Sequence, residues 1–235
     1  MRVFYTSAAV MGTPEGFAVT LDGKTLKTPG KRPMILESLP LAEAIAAEWQ
    51  AQQDEIKPAS MQLMKLAATA IDRVSTRREE VIAGTSAYAN SDLLCYRAEL
   101  PEDLTARQAA AWQPLLDWAT LRFDAPLAVT QGIVAIAQPA ASTAALGRAV
   151  AALDLLDLTA VADLTGLMGS LVLALALWDQ RIDGETAADA ALLDEDFQAE
   201  RWGVDDEAAE RLAAIRAEIA DGYRFMALHR AGRRA

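Results

Sequence analysis

Residues 17–28 read Phe-Ala-Val-Thr-Leu-Asp-Gly-Lys-Thr-Leu-Lys-Thr, and the fold class turns on that stretch. Phe17 to Leu21 alternates at period two. Asp22-Gly23 then supplies a turn, since both residues tolerate positive φ, and Thr25 to Thr28 returns as a second run. This predicts a β-hairpin. Val3-Phe4-Tyr5 and Met34-Ile35-Leu36 read as further short strands, punctuated by Pro29, Gly30 and Pro33. A small sheet is expected within residues 1–37.

Beyond that point the period changes. Leu41, Ile45, Glu48 and Trp49 fall at helical spacing, with Ser38 placed to cap the helix and Trp49 expected in its core. Ser60 is placed to cap a second helix that carries Leu63, Leu66, Ala67, Ala70, Ile71 and Val74 on one face. Thr76 and Glu79 have the capping-box form ahead of Val81. Leu104 to Phe123 reads as a helix that Pro114 should break or kink. Two short runs, 93–97 and 127–130, are candidate strands that would extend the β-rich part.

From Thr143 on, only helices are expected, over roughly 144–152, 158–178, 186–202 and 205–228, with Gly203 ending the third. Gly166 and Ser170, four apart in the second of these, read as a structural notch where another helix packs closely. The architecture is α+β, mainly α: a small β-rich N-terminal part over 1–37 and a larger helical part over 38–235.

Composition narrows the function classes. The 235 residues are 52% hydrophobic and 23% charged, enough to bury a core and too apolar for a disordered chain. Asp and Glu number 33 against 22 Lys and Arg, a net charge of −11 that opposes binding to nucleic acid or anionic lipid. The uncharged, strongly apolar run Leu164 to Trp178 is fifteen residues, short of the roughly 18 a membrane span needs, so it reads as a buried core helix. Cys95 is the single cysteine, which fits a reducing compartment, and the start Met1-Arg2-Val3-Phe4 resembles neither a secretory signal nor an organelle presequence. The bacterial cytoplasm is expected, or the mitochondrial matrix for a processed organellar form.

Catalytic constellations are hard to find. His229 is the only histidine and reads as a solvated residue near the C-terminus beside Arg230 and Arg233, a poor general base. No glycine-rich phosphate loop or nucleophile elbow occurs, and Cys95 sits in an apolar run as an inert thiol. One alternative stays open, a metal-dependent hydrolase using the Asp194 and Asp196 carboxylates. Against it, Gln198 and Ala199 stand where a calcium loop needs a ligand and a glycine. No metal or cofactor is expected.

The charge is unevenly spread. Between Asp183 and Glu210 there are eleven acids and one base, Arg201, so this segment holds nearly all of the net charge. Acids in a first helical turn are favoured by the helix dipole, which accounts for Asp205, Asp206 and Glu207. Asp196 and Glu200, one turn apart later in a helix, are like charges that repel. Asp194, Glu195, Asp196, Glu200 and Trp202 are therefore the candidate face for a partner's basic residues, with Leu193 and Phe197 packing inward beside them.

Several motifs together are specific. They are Asp22-Gly23-Lys24 with Leu26 to Pro29, Leu41-Ala42 through Trp49, and Pro58 to Val74. Tyr88-Ala89 with Asp92-Leu93-Leu94-Cys95-Tyr96-Arg97, Trp112 to Trp118, Gly169-Ser170-Leu171, and Leu193 to Gln198 with Trp202-Gly203 complete the set. In this order they resemble the assembly chaperones of the F-type ATP synthase that bind its alpha subunit. Ala68 and Ser91 stand where that pattern has Asn and Thr. The resemblance implies a non-enzymatic, ATP-independent chaperone that holds the free alpha subunit until beta replaces it, with a β-rich N-terminal and a helical C-terminal domain. It is expected to be monomeric when free.

Overall fold

The computed structural model describes residues 1–132 and 134–233, and it is 63% helical and 10% strand, an α+β chain that is mainly α. Strands β1 (Ala8–Thr13), β2 (Gly16–Leu21), β3 (Lys24–Thr25) and β4 (Ile35–Leu36) come first, followed by helices α1 (Leu39–Gln50), α2 (Gln62–Asp72) and α3 (Arg78–Ala87). Strand β5 (Tyr96–Arg97), helix α4 (Glu102–Phe123) and strand β6 (Thr130–Gln131) follow. The rest is helical: α5 (Ala140–Ala151), α6 (Leu155–Met168), α7 (Leu171–Trp178), α8 (Gly184–Ala191), α9 (Leu193–Trp202) and α10 (Asp206–Arg233). The chain divides into two compact units. One comprises Met1–Arg78, Asp154–Ala160 and Asp221–Ala235; the other comprises Glu79–Leu153 and Val161–Ala220.

In the first unit β1, β2 and β3 lie in that order, with β4 also paired to β2. Asp22 (φ 48°) and Gly23 (φ 76°) make the expected turn, and their positive φ matches the right-handed twist of the flanking strands. The strand before the hairpin is β1, not Val3–Tyr5. Residues 2 and 3 bond instead to the chain after α1, where Arg2 bridges Glu55 and Val3 N donates to Asp54 O at 3.1 Å. Helix α1 lays Leu41, Ile45 and Trp49 onto the sheet, and Ser38 Oγ caps it by accepting from Leu41 N at 3.3 Å. Ser60 does not cap α2. The Glu48 carboxylate does so from α1, accepting from Leu63 N (2.9 Å) and Met64 N (2.8 Å). Thr76 likewise makes no capping box, because its hydroxyl donates back to Arg73 O.

The same unit holds the end of α10. His229 is 3% exposed, not solvated; its Nε2 lies 2.9 Å from Asp154 Oδ2, which Arg233 also reaches. Asp154 Oδ1 accepts from Asp157 N, so one carboxylate both caps α6 and holds the last turns of α10. Ser38 Oγ donates to Leu228 O at 2.7 Å, and Gly232 passes so close to Ser38 that a Cβ would lie 2.4 Å from its Oγ.

In the second unit, α4 runs unbroken through Pro114, and Trp112 on its inner face donates through Nε1 to Ala190 O at 2.8 Å. The one helix expected over 158–178 is two. Gly169 (φ 66°) ends α6, and Ser170 caps α7 by accepting from Leu173 N at 3.0 Å. Gly166 and Ser170 thus share no helical face. Tyr88 Oη lies 3.8 Å from the place a Cβ on Gly166 would take. Every residue of α7 from Leu171 to Leu177 is at most 1% exposed. The helix expected over 186–202 is also two, α8 and α9, joined at Leu192. Strands β5 and β6 pair in parallel with each other. Among the described residues no helix is long and apolar enough to cross a membrane.

Candidate functional site

Helix α9 begins at Leu193 and stops at Gly203, whose φ of 78° ends the helical run. Its first turn carries Asp194, Glu195 and Asp196 where the helix dipole favours acids. Phe197 is buried and anchors the helix. The Arg107 and Arg201 guanidinium carbons lie 5.2 and 4.6 Å from its ring centroid, a cation–π arrangement on both. Leu193 is half-buried.

The acids divide into engaged and unengaged ones. Asp194 Oδ1 accepts from Gln108 Nε2 at 2.7 Å, and the buried Gln108 accepts in turn from Ala98 N. Asp196 and Asp189 both hold Arg216 of α10, whose pKa rises chiefly through the hydrogen bond to Asp189. Glu200 pairs with Arg107 at 2.7 Å, and Arg201 pairs with Asp103. The repulsion between Asp196 and Glu200 is therefore offset by a separate arginine on each. Glu195, Asp206, Glu207 and Glu210 make no ion pair among the described residues.

Arg107, Gln108 and Arg216 were not singled out from the sequence. Arg107 lies 93 positions from Glu200, and no local spacing joins them. Between α4, α8 and α9 the side chains enclose a groove of about 450 Å³, floored by Pro114, Leu115, Ile182 and Leu193 and rimmed by Arg107 and Glu200. At the far end of α9, Trp202 is 75% exposed and Val204 is 48% exposed, beside the unengaged acids that open α10. An exposed tryptophan flanked by carboxylates suits a partner that is apolar with basic edges.

The other candidates behave as structure. Trp49 is buried, its backbone carbonyl accepts from Tyr5 Oη at 2.7 Å, and the two rings meet edge to face. Asp92 is fully buried and accepts from Ser170 Oγ, Val172 N and Leu94 N; burial outweighs those bonds and pushes its pKa up to about 6. Burial, with the Asp92 charge nearby, drives the Cys95 thiol up to about 12, so it is no nucleophile at neutral pH. Among the described residues the group with metal-ligand geometry is Asp154, Asp157 and His229, where Arg233 already occupies the Asp154 carboxylate. Asp194 and Asp196 are engaged by Gln108 and Arg216 and do not form such a group.

Residues 2–120 match the family described as ATP12 chaperone protein. The crystal structure of Atp12 from Paracoccus denitrificans is 43% identical with a TM-score of 0.91, over 97% of this chain and 98% of that one. A mutant of that protein with lysine in place of one aspartate matches equally, at 43% identity and TM-score 0.91 over 97% of each chain. A protein of Agrobacterium tumefaciens is 38% identical with a TM-score of 0.89, over 95% of this chain and 84% of that one. Fold and sequence together define a chaperone. The chain belongs to the ATP12 chaperone family, and that membership supports a role in ATP synthase assembly.

Proposed function

We propose that this protein binds the free alpha subunit of the F-type ATP synthase head without using ATP and keeps it from aggregating until beta takes its place. The observation that carries the reading is the 43% identity to Atp12 over nearly the whole of both chains. The physics agrees with it. A ring subunit without its neighbours exposes the surface they would cover, and such patches aggregate. A chaperone of net charge −11 covering that surface keeps the pair in solution by mutual repulsion. Release is by competition from beta.

The contact face in this reading is α9 and its end: Asp194, Glu195, Asp196, Glu200 and Trp202. Trp202 supplies apolar area, Glu195 an unengaged charge, and the others charges that a stronger basic partner can draw away from Arg107, Gln108 and Arg216. The protein is not an enzyme, is monomeric when free, and acts in the bacterial cytoplasm or an equivalent matrix. The hydrolase alternative is disfavoured by the donors that already hold Asp194 and Asp196.

Co-expression of this chain with the alpha subunit in the absence of beta tests the reading. A soluble one-to-one complex that dissolves when beta is added is the expected result. Alpha that precipitates as it does alone, with no complex recovered, would overturn it.

A further inference from the structure

Strand β1 is the edge of its sheet, and beyond Ala8 its outer side has no partner among the described residues. Asp22 N donates to Ser7 O at 2.8 Å, which fixes the pairs that exchange hydrogen bonds as Ser7–Asp22, Ala9–Thr20, Met11–Ala18 and Thr13–Gly16. The intervening residues Ala8, Val10 and Gly12 therefore aim their N–H and C=O groups away from β2. The opposite strand agrees, because Val19, facing Val10, spends its N–H on Met34 O and its C=O on Leu26 N. On the outer side Gln50 Oε1 accepts from Ala8 N at 2.7 Å. Val10 and Gly12 have no outer partner among the described residues.

Edge strands are ordinarily protected by a charge, a proline, a bulge or a cover. β1 reads Ala-Ala-Val-Met-Gly-Thr, carries no charge or proline, and pairs residue for residue with β2 without a bulge. Beside it lies a groove of about 560 Å³, walled by Ala8 and Val10 on the strand and by Ala46, Ala47, Gln50 and Glu43 on α1. Apart from Gln50 and Glu43, the walls are small and apolar. Glu43 is their only charge, is exposed, and makes no ion pair among the described residues.

We propose that this edge is a docking strand, on which an extended segment of the client chain adds to the sheet beyond β1. The segment is uncharged along its bonded side except for one lysine or arginine set against Glu43. Main-chain bonds to Val10 and Gly12 give such a contact affinity without demanding a fixed sequence, which suits the capture of an unassembled chain. The proposal rests on the chaperone reading above for the identity of the client.

Amide hydrogen exchange on the full chain, with and without purified alpha subunit, tests it. In the free protein the amides of Val10 and Gly12 exchange fast, while those of Ala9, Met11 and Thr13 are protected. Adding alpha slows Val10 and Gly12 at least about tenfold and leaves their neighbours unchanged. Val10→Pro removes an outward N–H that the β1–β2 ladder does not use, so the fold holds while capture weakens about tenfold. Glu43→Lys weakens it as well, and Glu43→Gln less. If alpha is captured normally with Val10 and Gly12 still fast, the proposal falls and the chaperone reading stands. Protection of the two amides without alpha, with the mass doubled, would show a second copy on the edge and also overturn it. No capture of alpha at all defeats both.

Discussion

Ser170 Oγ donates to Asp92 Oδ1 at 2.8 Å and accepts from Leu173 N at 3.0 Å, so two side chains 78 positions apart together build the start of α7. The second Asp92 oxygen accepts from Val172 N at 3.0 Å. The carboxylate is thus solvated by a helix N-terminus in place of water.

That burial has a pH signature. The folded pKa of Asp92, about 6, lies above its ordinary 3.8, so folding is opposed by the charged form. The stability this group contributes is full below about pH 4 and is lost as pH rises through 6, an effect of about 3 kcal/mol. Asp92→Asn keeps the shape and abolishes the titration. Urea unfolding of both proteins at pH 4.5 and pH 7 should show the wild-type advantage larger at the lower pH. Equal differences at both would refute the assignment.

Asp154 titrates in the opposite sense. Burial alone raises its pKa, but the hydrogen bonds from His229 and Asp157 N and the charges of His229 and Arg233 prevail and leave it below the ordinary carboxylate range. Its contribution is therefore present above about pH 4 and is lost as pH falls through the lowered value. Asp154→Asn should lower the melting temperature more at pH 7 than at pH 3. Thermal melts at the two pH values check this.

Gly232→Ala places a Cβ within 2.6 Å of Ser38 Cα, a backbone atom that cannot swing aside. The last turn of α10 must shift, and the bond from Ser38 to Leu228 O goes with it. A loss of about 1–3 kcal/mol is expected, measured by calorimetry, together with faster exchange at the C-terminus. Unchanged stability would mean that the turn is not held as described.

Trp49→Ala should destabilise by about 3–5 kcal/mol through lost burial against the sheet and Tyr5. Trp49 Nε1 is buried with no partner among the described residues, so Trp49→Phe removes an unsatisfied donor and should be far milder. A melt of the two variants side by side decides it. A Trp49→Ala protein that melts normally but loses its client would place the residue on the interface.

Glu200→Lys separates fold from capture. Taken alone, its spacing from Asp196 makes the reversal look stabilising, but Glu200 faces Arg107 at 2.7 Å, and Lys there adds repulsion. Both groups are about half exposed, so the cost stays within about 1 kcal/mol. Circular dichroism should be unchanged while a pull-down of alpha weakens, and wild-type capture should slow with salt. Normal, salt-insensitive capture by the folded variant would return α9 to an ordinary solvated surface.

Local chemistry made some of this legible in the sequence. Asp22-Gly23 announces a hairpin because few residues accept positive φ, and Ser38 and Gly203 mark helix ends for comparable reasons. β1 was hidden because Ala-Ala-Val-Met-Gly-Thr has little alternation and becomes a strand only by pairing with β2. The break between α6 and α7 was masked by a leucine-rich run that is apolar on every side. In the acidic segment the acids could be counted, but their arginines on α4 and α10 could not be assigned to them. The caps supplied by Glu48 and Asp92 are long-range contacts and leave no local trace.

Helix α7 also bears on how the chain is made. It has no face suited to water, and among the elements packed against it are α4, which precedes it, and α8, which follows it. Emerging from a ribosome, Leu171–Trp178 is an oily segment that α4 covers only in part until the residues after 184 are synthesised. At about 5–20 residues per second that exposure lasts on the order of seconds. A protein that shields another chain's sticky surface thus passes through the same vulnerability during its own birth.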